Sequence, residues 1–168
     1  MRLAEYTDYS LRVLMYCAAH PQQLVTIGEL AEWHGVSKNH LMKIVNDLAR
    51  QGLLETTRGR NGGLRLRKDP AAIRVGDVVR ASETDFRLVE CFDANSNECT
   101  LMPSCRLKHV FGRALRAYFD ELDAATLADI AHAARPARAP ASAHRGSVAP
   151  ISGPTSRRRP AKAPRRTA

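Results

Sequence analysis

The sequence predicts a mainly α chain carrying one small β-hairpin. Three observations carry that expectation. Apolar residues recur at helical spacing in four or five segments. Capping residues bracket most of those segments. One stretch, LLETTRGRNGGLRLRKDP, alternates apolar and polar residues on either side of Asn-Gly-Gly. At 168 residues the chain can hold one domain with a real core. No stretch approaches the roughly 20 apolar residues that span a bilayer, and the start, MRLAEYTDYSLR, lacks the apolar run of a secretory signal. No membrane is expected, and a cytoplasmic location is. Thiols stay reduced there.

The first helix is expected over about Asp8 to His20, with Leu11, Leu14, Met15 and Ala18 on one face and Pro21 as its stop. In TIGELAEWHG, Thr26 and Glu29 form a capping box and Gly35 closes the element. Ser37 then caps SKNHLMKIVNDLARQG, whose buried stripe is Leu41, Ile44, Val45 and Leu48. Lys38, Asn39, His40, Lys43 and Asn46 lie off that stripe. Two short helices joined by a tight Gly-bearing turn match a helix-turn-helix, although an ordinary helical hairpin reads the same way.

The hairpin decides between them. Strands LLETT and LRLRK flank the turn RGRNGG, where Asn61, Gly62 and Gly63 tolerate positive φ. Leu64 and Leu66 alternate with Arg65, Arg67 and Lys68, so one face is apolar and the other basic. With Arg58 and Arg60 the ribbon carries five positive charges. A basic wing directly after a helix-turn-helix is the winged-helix arrangement, and double-stranded DNA is its partner. Lys38, Asn39, His40 and Lys43 are expected in the major groove. Arg58, Arg60, Asn61 and Arg65 are expected on the wing's side of the interface.

AIRVGDVVRASE gives a further short helix. RLKHVFGRALRAYFDEL then keeps Leu107, Val110, Phe111, Ala114, Leu115, Tyr118, Phe119 and Leu122 at helical spacing without a miss. A helix packed on its own domain would read the same way, but so broad a stripe exceeds what a small winged helix needs to cover. It is expected to form a homodimer, matching a palindromic operator. TLADIAHA, with Thr126 and Asp129 as a second capping pattern, ends the folded part.

Charge separates the tail from the rest. Nine of the 26 Lys and Arg residues lie in 134–168, which has no acid, so residues 1–133 hold 17 of each sign. The Ala/Pro/Ser/Arg-rich tail is expected to be disordered. The expected division is 1–80 for the winged domain, 81–105 for a cysteine loop, 106–133 for the dimerisation helix and short terminal helix, and 134–168 for the tail.

Three of the four cysteines, Cys91, Cys99 and Cys105, fall in CFDANSNECTLMPSC. A disulfide would strand one of them. Zinc prefers four ligands, often as C-x2-C pairs, and none exists here. An iron–sulfur cluster tolerates wider spacing and favours thiolate. Cys105 also precedes a long helix, whose positive end stabilises a thiolate. The spacing favours an iron–sulfur cluster and leaves zinc and metal-free thiols open. Cys17, within LMYCAA, is expected in the core.

YTDYSLRVLMY, VSKNHLMKIVNDLARQGL, RGRNGGLRL, IRVGDVVR, CTLMPSCRLK and ELDAATLADI together resemble the NsrR/IscR family of winged-helix iron–sulfur repressors. The resemblance covers residues 1 to about 133. It implies a homodimer with one cluster per subunit, of either 2Fe-2S or 4Fe-4S type. It implies that Cys91, Cys99 and Cys105 are its thiolates and that Asp8 completes the site from the opposite subunit. The assembly-regulating branch carries a His three residues after the third Cys. Here Lys108 stands there, with His109 next, which points to the branch sensing nitric oxide. Asp8 by its position alone reads as a helix-start residue. The competing functions are an iron–sulfur-biogenesis or redox-stress regulator of the same fold, a structural-zinc DNA-binding module, and a redox enzyme. No nucleotide-binding glycine loop, C-x2-C pair or Ser/His/Asp arrangement supports catalysis, so no enzyme is expected.

Overall fold

Helix α1 spans Glu5–Ala19 and begins three residues before the expected start at Asp8. The reason is local: Ala4 is the N-cap and has no side chain to cap with. The protein is seen here as a computed structural model that describes residues 2–93, 95–101 and 104–131. The expected basic tail lies outside the described residues.

Thr26 starts α2 (Ile27–His34) through the expected reciprocal capping box with Glu29. Ser37 accepts from the His40 amide and starts α3 (Lys38–Arg50). Val13, Leu14 and Cys17 of α1, Leu30 of α2, and Leu41, Ile44, Val45 and Leu48 of α3 meet in one core. Each fully buried Leu or Ile contributes about 1.5–3 kcal/mol of transfer free energy.

Strands β1 (Leu54–Thr57) and β2 (Gly63–Leu66) pair antiparallel, with Leu54 opposite Leu66 and Thr57 opposite Gly63. Their inward side chains, Leu54 and Leu64, join the core. Val25 adds a bridge to the hairpin, exchanging hydrogen bonds of 2.9 and 2.8 Å with Leu64. The turn departs from expectation. Positive φ falls at Gly59 (+113°), not at Asn61, Gly62 or Gly63. Gly62 is needed for a different reason: a Cβ there would lie 2.2 Å from the Thr57 carbonyl oxygen.

After a 3-10 turn at Pro70–Ala72, α4 (Val75–Ser82) buries Val78 and Val79. The long helix α5 (Arg106–Ala124) has 19 residues and buries none of them. Its C-terminal half is clamped to α4. Arg80 donates two 2.6 Å hydrogen bonds to the Asp123 carboxylate. The same guanidinium sits 4.3 Å from the Phe119 ring centre. Gly76 permits this approach, because a Cβ there would lie 1.9 Å from Asp123 Oδ1. Backbone bonds Val75 N–Ala125 O and Leu127 N–Ile73 O extend the junction into α6 (Leu127–Ile130), where Leu127 is buried. The N-terminal half of α5 is unlike this, with Leu107 57 % and Val110 47 % exposed. Among the described residues no helix is long and apolar enough to cross a membrane.

Candidate nucleic-acid interface and candidate metal centre

Burial of Leu41, Ile44, Val45 and Leu48 turns the opposite face of α3 outward. Lys38, Asn39, Met42, Lys43 and Asn46 are exposed on it. His40 is placed differently from its expected neighbours. It lies on the flank facing α1, half-buried, its ring edge-on to Tyr9 at 5.5 Å between centres. Its Nε2 is buried without a hydrogen-bond partner among the described residues.

The same flank carries a second tie to α1. The Tyr6 hydroxyl donates to Asp47 Oδ2 at 2.5 Å, and Arg50 also donates to that carboxylate. Burial, then the bond to Asp47, pushes the Tyr6 hydroxyl up to about 12. A carboxylate in the last turn of a helix is disfavoured by the helix dipole, so Asp47 depends on these partners. Neither Tyr6 nor Asp47 was legible as a pair, since 41 residues separate them.

On the wing, Arg58, Arg60 and Asn61 are exposed. Arg65 is exposed as well, but its guanidinium bonds Glu55 across the strands at 3.2–3.3 Å. It therefore has to share or exchange that partner to reach a phosphate.

The four thiols are all free; Cys17 is buried, and Cys91, Cys99 and Cys105 are half-buried. Cys91 sits in a 3-10 turn, Glu90–Phe92. Cys105 is the N-cap residue of α5, as its place in the sequence led one to expect. Between them polar bonds shape the loop. Asp93 accepts from the Asn95 amide at 2.9 Å and from the Ser96 hydroxyl at 2.9 Å, and pairs with Arg87. Those bonds, the Asn95 amide first, hold its carboxyl below the usual range. The Glu98 amide donates to Glu90 at 2.5 Å, and the Cys99 amide to Asn97 at 3.2 Å. Cys91 also lines a cavity of about 410 Å³ with Phe86, Phe92 and Leu115.

Asp8 projects from the first turn of α1 with its side chain 46 % exposed. Both carboxylate oxygens meet Arg12, at 2.7 and 3.0 Å. The structure does not bring Asp8 and the thiols of one chain together. Among the described residues no three His, Cys, Asp or Glu side chains stand close enough to hold a metal ion. The chemistry of the donor set nevertheless fits a thiophilic iron centre: three free, partly accessible thiols on one loop, the last at a helix N-terminus. Met42 and Asn46 are exposed α3 residues outside the expected groove set. Their position between Lys38 and Lys43 on the helix face was the available signal.

Comparison with known proteins agrees with this architecture. The Rrf2 family model, an iron-dependent transcriptional regulator, matches residues 3–133. The HTH-type transcriptional regulator NsrR of Bacillus licheniformis is 53 % identical over 131 residues, covering 77 % of this chain and 92 % of that protein. The Bacillus subtilis protein of the same name is also 53 % identical over 131 residues, covering 77 % and 90 %. Among solved structures, oxidised CymR of Staphylococcus aureus superposes with a TM-score of 0.64 at 26 % identity, over 80 % of this chain and 99 % of that one. The family resemblance read from the motifs is borne out: the chain belongs to the Rrf2 family of transcriptional regulators.

Proposed function

We propose that the protein is a cytoplasmic, homodimeric repressor whose hold on a palindromic operator is controlled by nitric oxide at an iron–sulfur cluster. The observation that carries this reading is the gathering of Cys91, Cys99 and Cys105, all free and half-buried, on the loop that leads from the winged domain into the apolar start of α5. The 53 % identity to proteins named NsrR supports the nitric-oxide branch, as does Lys108 in place of a histidine three residues after Cys105.

Cys91, Cys99 and Cys105 would hold the cluster, with Asp8 of the opposite subunit as the fourth ligand. Such a cluster supplies iron to which nitric oxide binds. The chain's own part is positional. The Asp8 carboxylate is a harder donor than thiolate and is paired with Arg12 on the exposed side of α1, open to approach from outside its own subunit. Without that ligation the Asp8 carboxylate would pair with Arg12 alone, and α1 would no longer be tied to the partner subunit. Helix α1 in turn bears on α3 through Tyr6–Asp47 and Tyr9–His40. On the DNA side, Lys38, Asn39 and Lys43 face the groove from α3, His40 flanks them, and Arg58, Arg60, Asn61 and Arg65 serve the wing. Two half-sites sit about 34 Å apart, so a small rotation of one domain breaks the fit of both.

The test is purification without air. The protein should be coloured and contain iron and sulfide. It should retain a duplex chosen from a random-sequence pool and release it on nitric oxide addition. A colourless protein with stoichiometric zinc would overturn the cluster, and a duplex held equally before and after nitric oxide would overturn the sensing.

A further inference from the structure

We infer that Met42 reads the C5-methyl group of a thymine in the major groove, and that this contact helps set the operator sequence. The inference rests on the DNA-binding reading and goes beyond it, because it names the base and the atom recognised. Met42 is 42 % exposed and is not among the hydrophobic residues packed on the core. Single exposed apolar residues are common on protein surfaces and usually mean nothing. Met42 differs in its setting. It lies one turn from Lys38 and Asn39 on one side and from Asn46 on the other, on the outward face of α3, with Lys43 beside it.

The other four side chains of that face donate or accept hydrogen bonds, and each can pair with a nitrogen or oxygen on a base edge or with a phosphate. Methionine has no donor and only a weak sulfur acceptor. Docked into the groove it loses water and has nothing polar to offer in return. The one apolar feature that the major groove presents is the thymine methyl. An unbranched thioether with three rotatable bonds can adjust to meet it. Position, rather than degree of exposure, separates Met42 from the other large exposed hydrophobics described. Trp33 contacts the Tyr16 ring at 5.4 Å between centres, and Leu101, Leu107 and Val110 lie on the thiol loop and α5.

The full-length homodimer is used to select duplexes from a random-sequence pool, and each thymine of the winner is then replaced by deoxyuridine, which removes only the methyl. At one thymine in each half-site the replacement should weaken wild-type binding about three- to fivefold, the worth of burying one methyl group. Met42→Ala should bind the thymine duplex more weakly and become indifferent to the same replacement. Met42→Leu, apolar and equally compatible with a helix, should keep the preference. Unchanged circular dichroism shows that the variants fold, as an exposed position allows. A uracil penalty equal in wild type and Met42→Ala, or an unchanged selected sequence for Met42→Ala, overturns the inference alone. A wild-type protein that enriches no sequence overturns the DNA-binding reading and the inference with it.

Discussion

The Cys17 thiol is 2 % exposed, packed among the residues of the core, and burial pushes it up to about 12. At pH 8 it carries almost no thiolate and has no path to a reagent. Cys91, Cys99 and Cys105 are partly accessible. In metal-stripped native protein, iodoacetamide at pH 8 should label three cysteines, and the fourth only after denaturation. Mass spectrometry counts the adducts; four on the native protein would show that α1 opens readily. The same burial gives a pH dependence. The folded state holds the Cys17 proton more tightly than the unfolded chain, whose thiol ionises near 9. Stability from this group is therefore fully present below pH 9 and is lost as pH rises toward about 12. Cys17→Ala should flatten the fall in urea stability over that window. Cys17 was legible as a core residue from its apolar neighbours in LMYCAA. His40 was harder to read: helical spacing puts it near Lys43, and only the Tyr9 ring, 31 positions earlier, shows that it turns toward α1.

Helices α2, α3 and α6 announced themselves through side-chain caps, Thr26, Ser37 and Thr126, and each cap is made. Helix α1 hid its first turn because Ala4 offers no such signal. The hairpin was legible from its alternation, while its turn was not, since Gly59 and Gly62 serve needs that a list of permissive residues cannot rank. How the elements lean on each other was outside any local pattern. Two contacts now give tests. Tyr6→Phe removes the donor to Asp47 and should cost about 1.5 kcal/mol, the worth of a hydrogen bond to a charged group. Hydrogen exchange should quicken in the last turn of α3, residues 46–50, where α1 no longer holds Asp47. Equal exchange there would show that Arg50 alone fixes the carboxylate. At the other junction, Gly76→Ala places a methyl where Asp123 lies and breaks the bidentate Arg80 clamp. Overpacking of this kind costs about 1–3 kcal/mol. Calorimetry should show a lower melting temperature for Gly76→Ala, and a melting temperature equal to wild type would mean that α5 shifts freely on α4.

At the scale of the whole molecule, α5 combines two behaviours. Its C-terminal half is fixed to its own winged domain through Arg80, Asp123 and Phe119. Its N-terminal half, beginning at Cys105, presents Leu107 and Val110 to solvent in a single chain. A helix of this length extends about 28 Å, enough to cross a second copy of itself. The sequence carried this stripe plainly, and it carried the thiols; which subunit's Asp8 would serve which loop is a property of the dimer, outside any local pattern of one chain. Paired variants separate the possibilities. In mixed dimers with Asp8→Ala on one chain and Cys91→Ala on the other, ligation across subunits leaves one complete site, built from the thiols of the first chain and Asp8 of the second. Half-loaded protein should then show the wild-type visible spectrum. With both substitutions on the same chain, the surviving three thiols face a subunit that lacks Asp8, and the spectrum should match that of Asp8→Ala. Ligation within a subunit reverses the two results. Identical wild-type spectra from both dimers would show that Asp8 is not a ligand and that its partner is Arg12 throughout.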